Sequence, residues 1–335
     1  MRKTLLYQDA LYQDAGDGEM RMGRVDGKVA LITRRAELGA QVVGRDRELD
    51  LILAAVVAGR DLLLEGPPGT SKSTILRAIT TSWGIPLHFV EGNADLTPAK
   101  LVGHHNPARV LREDYSAANF VAGPLVAAMR EGGFLYVEEF NRAPEDTLNT
   151  LLTAMAEREV NVPRVGRVAA ADSFRLVASM NPFDNIGTTR ISASVYDRLC
   201  RLAVGYQSAE EDRQIVVLRT GSDNAELIGD AVAITRSTRA HPDVRHGASV
   251  RGAIDLVAVA APLAEIRGGA GGDIQEYRAI VLDAALLALS GRISVDETAE
   301  AGPEQIIREL WEDHFMLAPA RAAAGPNAVR VPEPT

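Results

Sequence analysis

The chain has 335 residues, enough for roughly two domains at about 150 residues each. Hydrophobic residues make up 46% and charged residues 24%, which excludes a wholly disordered chain; with aromatics at 5%, the core must lean on Ala, Leu, Val and Ile. Lys plus Arg number 36 against 45 Asp plus Glu, a net charge of −9 that argues against a general nucleic-acid or anionic-membrane binder.

Cys200 is the single cysteine, which excludes an internal disulfide framework and a multi-Cys metal site, and it reads as a core thiol. No apolar run reaches the ~18 residues of a membrane span. Arg2 and Lys3 are not followed by the apolar stretch of a secretory signal, so a cytoplasmic protein is expected.

Residues 1–40 lack turn and cap signals and read as a partly mobile extension, with a five-residue near-repeat at Tyr7-Gln8-Asp9-Ala10-Leu11 and Tyr12-Gln13-Asp14-Ala15. Residues 26–33 resemble the first strand of a short-chain dehydrogenase. The glycines of a dinucleotide turn do not follow, and no Tyr-x-x-x-Lys lies downstream, so a nicotinamide site is rejected.

Apolar runs at 61–65, 86–90, 133–137, 173–179 and 200–206 predict five buried strands. Residues 73–83 predict a helix with Ile75, Leu76 and Ile79 on one face. Strands separated by helical or loop segments imply an α/β core, a parallel five-stranded sheet covered on both faces. After Ser208 the strand signals stop, and 209–219, 224–239, 250–266, 274–289 and 303–315 predict an all-helical second domain. The expected organisation is an extension over 1–40, an α/β core over 41–207, a helical domain over 208–317 and a disordered tail over 318–335, where Pro319, Pro326, Pro332 and Pro334 fall.

The strongest motif is Gly66-Pro67-Pro68-Gly69-Thr70-Ser71-Lys72-Ser73-Thr74, placed after a strand and opening a helix. Such a loop turns backbone N–H groups toward an anion, and the helix N-terminus adds positive dipole. Lys72 would reach the β- and γ-phosphates of ATP, and the Ser73 hydroxyl would ligate Mg²⁺. Ser71 stands where the usual pattern has a second glycine.

Gly133-Phe134-Leu135-Tyr136-Val137-Glu138-Glu139 is an apolar strand ending in two carboxylates. A hydrolytic ATPase needs one acid for the metal shell and another to orient water. Glu138 is assigned to the metal, although Asp is usual there, and Glu139 to the water. Asn181 follows the apolar run ending Val177-Ala178-Ser179-Met180 and is placed to bond the γ-phosphate and the attacking water; a simple turn before Pro182 explains it equally well.

In combination these motifs resemble the AAA+ ATPases, and in detail the MoxR family. Val43-Gly44-Arg45-Asp46-Arg47-Glu48-Leu49 resembles the family's opening box, which implies an adenine contact at Val43 and Gly44. Ala94-Asp95-Leu96-Thr97-Pro98 with Leu101-Val102-Gly103, and Phe120-Val121-Ala122-Gly123-Pro124, resemble the segments that flank its helix-2 insertion. Glu139-Phe140-Asn141-Arg142-Ala143-Pro144 is similar to its Glu-Ile-Asn-Arg-Ala-Pro. Asp197-Arg198-Leu199 is similar to its Asp-Arg-Phe, and Gly247-Ala248-Ser249-Val250-Arg251 to its Gly-Ala-Ser-Pro-Arg. The resemblance runs in order over residues 41–315.

The resemblance implies that Arg198 enters a neighbouring subunit's ATP site, with Arg190 the alternative. It implies that Arg251 is a second sensor touching phosphate in its own subunit. Residues 159–168 read as a hairpin before the strand that carries Asn181. His104-His105 lacks a third ligand nearby and reads as loop. The resemblance further implies a Mg²⁺-dependent ATPase working as a hexameric ring, chaperone-like in maturing or loading metal into a client protein, with a separate partner bearing a von Willebrand factor A (VWA) domain. The other readings are a nucleotide-gated adaptor with little hydrolysis and a nucleic-acid-linked motor.

Overall fold

In a computed structural model of the protein, residues 35–39, 41–113, 115–183, 188–268 and 273–317 are described. The near-repeat at 7–15, the stretch at 26–33 and the tail from 318 lie outside them. The chain divides into two units: one runs up to Pro67 and from Ser71 to Val204, and the other takes loop residues 68–70 and everything from Gly205.

The first unit holds strands β1 (Leu62–Glu65), β2 (Leu87–Glu91), β3 (Gly103–His105), β4 (Phe120–Ala122), β5 (Phe134–Glu138), β6 (Glu159–Val162), β7 (Gly166–Ala169), β8 (Arg175–Met180) and β9 (Cys200–Ala203). Five of them form a parallel sheet in the order β2-β5-β8-β1-β9. Strand side chains alternate between faces, and here both faces are apolar. Leu62, Leu64, Phe134, Tyr136 and Val177 pack on one side with Leu49 and Ile52 of helix Asp46–Val57 and with Ile75, Leu76 and Ile79 of helix Lys72–Trp83. Leu63, Leu135, Val137, Leu176 and Ala178 pack on the other with Leu125 and Met129 of helix Pro124–Glu131 and Leu148 and Leu151 of helix Glu145–Glu157. The result is a three-layer α/β/α core. Leu38, within helical residues 35–39, is fully buried and belongs to the first of these clusters.

Three expectations are corrected here. The strands are not all buried, because β2 and β9 are the sheet's edges. For the same reason Cys200 is an exposed thiol and not a core one. His104 and His105 form the short strand β3, paired antiparallel with β4, instead of a loop. His105 Nε2 donates to Pro163 O at 3.2 Å and so ties this hairpin to the predicted one, β6 against β7. Among the described residues no group of three or more His, Cys, Asp or Glu could hold a metal.

The second unit packs helices Ala209–Thr220, Ala225–Ser237, Val250–Ile266, Ile274–Leu289 and Pro303–Glu312 around one apolar core that includes Val216, Ala231, Leu256, Val281 and Ile306. Ser208 starts the first of them with a capping box closed by Glu211. The unit is not wholly helical. Strands β10 (Val244–His246) and β11 (Ser294–Val295) pair antiparallel. Segments of two or three residues are too short to show any alternation in sequence. No helix among the described residues is long and apolar enough to cross a membrane.

Candidate functional site

In a parallel sheet every strand delivers its last residue to the same edge, and ligands of open α/β sheets sit there. β1 runs into the glycine-rich loop, β5 ends at Glu138, and β8 ends one residue before Asn181. β8 lies between the other two, so these three segments emerge side by side. Gly69 (φ 77°) and Ser71 (φ 67°) are both left-handed, and alternation of that kind points successive N–H groups to one side of a loop. Lys72 Nζ donates to Gly66 O at 2.8 Å and to Pro67 O at 2.9 Å, which holds the ammonium against the start of the loop.

The left-handed Ser71 explains why a glycine is usual at this position, since a Cβ costs energy in that conformation. Ser71→Gly is expected to raise stability by about 0.5–1 kcal/mol. A denaturant midpoint that falls would contradict this.

The end of the strand separates the two acids. Tyr136 and Glu138 are two residues apart on β5, so they share a face, and it is the face that packs against helix Lys72–Trp83. Ser73, in the first turn of that helix, therefore meets Glu138: its Oγ donates to Glu138 Oε1 at 2.6 Å. Tyr136 Oη lies 3.0 Å from Ser73 Oγ and 2.9 Å from Ser179 Oγ, and donates to Glu138 Oε1 at 3.3 Å. Burial pushes the Tyr136 phenol up to about 12, so it keeps its proton at neutral pH. A hard divalent cation takes oxygen ligands. The paired oxygens of Ser73 and Glu138, at the end of a phosphate-type loop, fit Mg²⁺.

Glu139 stands outside the strand. Its backbone is left-handed (φ 51°), which turns the chain out of β5 into the short helix Phe140–Arg142. Glu139 Oε2 is buried and accepts no hydrogen bond, and Arg142 Nε lies 3.3 Å from it. Gly92, just past β2, donates its N–H to Glu138 O at 2.7 Å. A Cβ on Gly92 would fall 2.2 Å from Glu139 O. Backbone on both sides leaves no room to give. Gly92→Ala is expected to cost about 1–3 kcal/mol of stability, the range for overpacking, and to lower turnover more than ATP affinity. Equal effects on the two would show that Gly92 does not shape the surroundings of Glu139.

Asn181 makes the turn contact expected of an Asn before Pro182. Its Oδ1 accepts from Phe183 N at 3.2 Å, which is turn chemistry. The amide nitrogen is the atom that could donate to a phosphate. Asn141 Nδ2 donates to Asn181 O at 3.4 Å, and Asn141 O accepts from Thr189 N at 2.6 Å, so Asn141 links the segment after Glu139 to the segment after β8.

Arg198 lies at the other edge of the sheet. It precedes β9, whose first residue pairs with the first residue of β1. Its Nη1 donates to Ser194 O and Ser194 Oγ, both at 2.8 Å. It lines an open cavity of about 470 Å³ with Arg60, Asp61, Arg158, Arg175 and Asp197. Arg190 is exposed. Arg251 is in the first turn of helix Val250–Ile266 of the second unit. Val43 and Gly44 (φ 66°) precede helix Asp46–Val57, and their neighbour Arg45 is buried and paired with Glu48 at 3.0 Å.

Residues 61–199 match the family model described as AAA domain (dynein-related subfamily). Over those residues the chain is similar to an AAA domain. The chain is similar to Chaperone MoxR1 of Mycobacterium tuberculosis, 28% identical over 262 residues covering 68% of this chain and 67% of that one. It is also similar to Gas vesicle ATPase GvpN of Ancylobacter aquaticus, 27% identical over 222 residues covering 61% of each chain. Both likenesses, with the family match, are consistent with a MoxR-type AAA+ ATPase. A crystal structure from Cytophaga hutchinsonii, of a protein provisionally described as an ATPase, aligns with a TM-score of 0.48 at 21% identity over 87% of this chain and 98% of that one. Within residues 61–199, sequence reasoning missed Tyr136 and Gly92. The signal for Tyr136 was a hydroxyl-tipped residue two places before the acid in an otherwise apolar strand.

Proposed function

We propose that this protein hydrolyses ATP, and that it does so as a MoxR-type ring with a chaperone-like role in client maturation. The observation that carries the chemistry is the Ser73–Glu138 contact of 2.6 Å beside Lys72, with Glu139 one residue further on. Lys72 would bind the β- and γ-phosphates. Ser73 and Glu138 would hold Mg²⁺, which when bound neutralises phosphate charge. Glu139 would orient a water toward the γ-phosphorus and accept its proton as the bond to the β–γ bridging oxygen breaks and ADP leaves. The Asn181 amide would donate to the γ-phosphate.

The ring rests on the place of Arg198. A strand of about four residues spans ~13 Å, and Arg198 lies at its far end from the loop. It can serve a phosphate only in another copy of the chain. The similarity to a protein named as a chaperone, MoxR1, supports the client role, and the resemblance to the MoxR family supports a separate partner with a VWA domain.

The test is calorimetric. Lys72→Ala should weaken ATP binding about 10- to 100-fold, the worth of one or two hydrogen bonds from a charged group. Phosphate release should be lost in parallel. Unchanged affinity would overturn the assignment of the loop.

A further inference from the structure

Glutamate is one methylene longer than aspartate and has one more torsion to order, so a glutamate in the metal shell needs something to hold its carboxylate. The surroundings of Glu138 supply it. Tyr136 Oη lies within 3.3 Å of three oxygens, those of Ser73, Ser179 and Glu138. Tyr136 and Ser179 are both fully or almost fully buried. β8 sits beside β5 in a register that pairs Tyr136 with Val177, so Ser179 lies level with Glu138. The protons can be assigned. Ser73 gives its own to Glu138 Oε1. A phenol has a single proton, and if Ser179 donates to Tyr136 Oη, that proton is left for the same carboxylate oxygen.

We propose that Tyr136 is a positioning residue: its hydroxyl, fixed by Ser179, holds Glu138 Oε1 beside Ser73 Oγ, where the two would meet the metal. This rests on the reading of Glu138 as a Mg²⁺ ligand. The hydroxyl constrains the longer acid to the place a shorter one would reach unaided. A phenylalanine at 136 keeps the ring and its packing against Phe89, centroids 5.8 Å apart, and removes only the hydroxyl, which donates to Glu138 and accepts from Ser179.

The test titrates Mg²⁺ into the full chain at a fixed concentration of a fluorescent ATP analogue. In Tyr136→Phe the Mg²⁺ needed for half-maximal Mg²⁺-dependent binding should rise about three- to tenfold, the worth of one ordinary hydrogen bond. Nucleotide affinity in EDTA should stay within about twofold, because the phenol touches no loop carbonyl or lysine. The shift should vanish in a Glu138→Asp background, where the carboxylate is drawn back by about one bond length, ~1.5 Å. Ser179→Ala, which loosens the phenol without removing it, should shift the midpoint in the same direction by less; it also serves if Tyr136→Phe does not fold. An unshifted midpoint in Tyr136→Phe overturns the proposal, and so does a shift of equal size with Asp at 138, which would mark a packing effect. The underlying reading fails separately: if Glu138→Gln binds nucleotide with the wild-type Mg²⁺ dependence, Glu138 is not a ligand and Tyr136 has no acid to position.

Discussion

Glu139→Gln should bind ATP within about twofold of the wild-type affinity and hydrolyse it about 10²–10⁴ times more slowly, the span of a lost general base. The amide keeps the shape of the side chain and cannot accept the proton of water. The αL turn at Glu139 is a backbone property that the substitution leaves alone. The contact with Arg142 is different. It needs the negative charge at Oε2, and Gln weakens it, so a small change in stability should accompany the kinetic loss. Glu138→Gln should behave otherwise, raising the Mg²⁺ requirement because Ser73 loses its carboxylate partner. Single-turnover phosphate release, with affinity measured in parallel, separates the two acids. If Glu138→Gln stops turnover with normal Mg²⁺ dependence while Glu139→Gln stays active, the roles are reversed.

Arg198→Ala should bind ATP normally and lose about 10³–10⁵ in turnover if it acts as an arginine finger. Its two bonds to Ser194 keep the guanidinium on the short helix Ala193–Tyr196, at the amino edge of the sheet. Its own loop opens at the carboxyl edge. Activity must then depend on assembly, and specific activity should fall on dilution. Mixing Arg198→Ala with Glu139→Gln creates some interfaces at which an intact Glu139 faces an intact Arg198. Those interfaces should recover activity that neither variant shows alone. Wild-type turnover in Arg198→Ala would exclude the role and turn attention to Arg190. Specific activity independent of concentration down to the monomer would exclude a shared site altogether.

The phosphate loop was legible because its chemistry is local. Gly66 to Ser73 is a contiguous stretch between a strand and a helix, and the spacing of Lys and Ser within it is set by backbone geometry alone. The central strands were legible for a related reason: buried on both faces, they read as unbroken apolar runs. Edges are different. Cys200 and Arg201 sit in a run that looks like its neighbours, and only the strand order shows that β9 has a partner on one side. The ribbon of β10 and β11 escaped because strands of three and two residues are too short to repeat an alternation, and pairing across 48 or more residues made them strands at all.

Within the site the division follows the same physics. That two acids close an apolar run is written in the sequence. That Glu138 ends β5 while a left-handed turn carries Glu139 off the strand was decided by the structure and not by the sequence. What stands on the side that Glu138 faces is not written there. The helix Lys72–Trp83 had to pack on that face for Ser73 to meet Glu138, and β8 had to insert between β1 and β5 for Ser179 to reach Tyr136. Tyr136 read as one more apolar strand residue because its ring is apolar and its partners lie 63 and 43 residues away. Gly92 read as nothing, since a missing Cβ has meaning only once the backbone of Glu139 is beside it. Short-range backbone preferences wrote the loop, the strands and the acids into the sequence; only long-range packing chose the neighbours that give those acids separate surroundings.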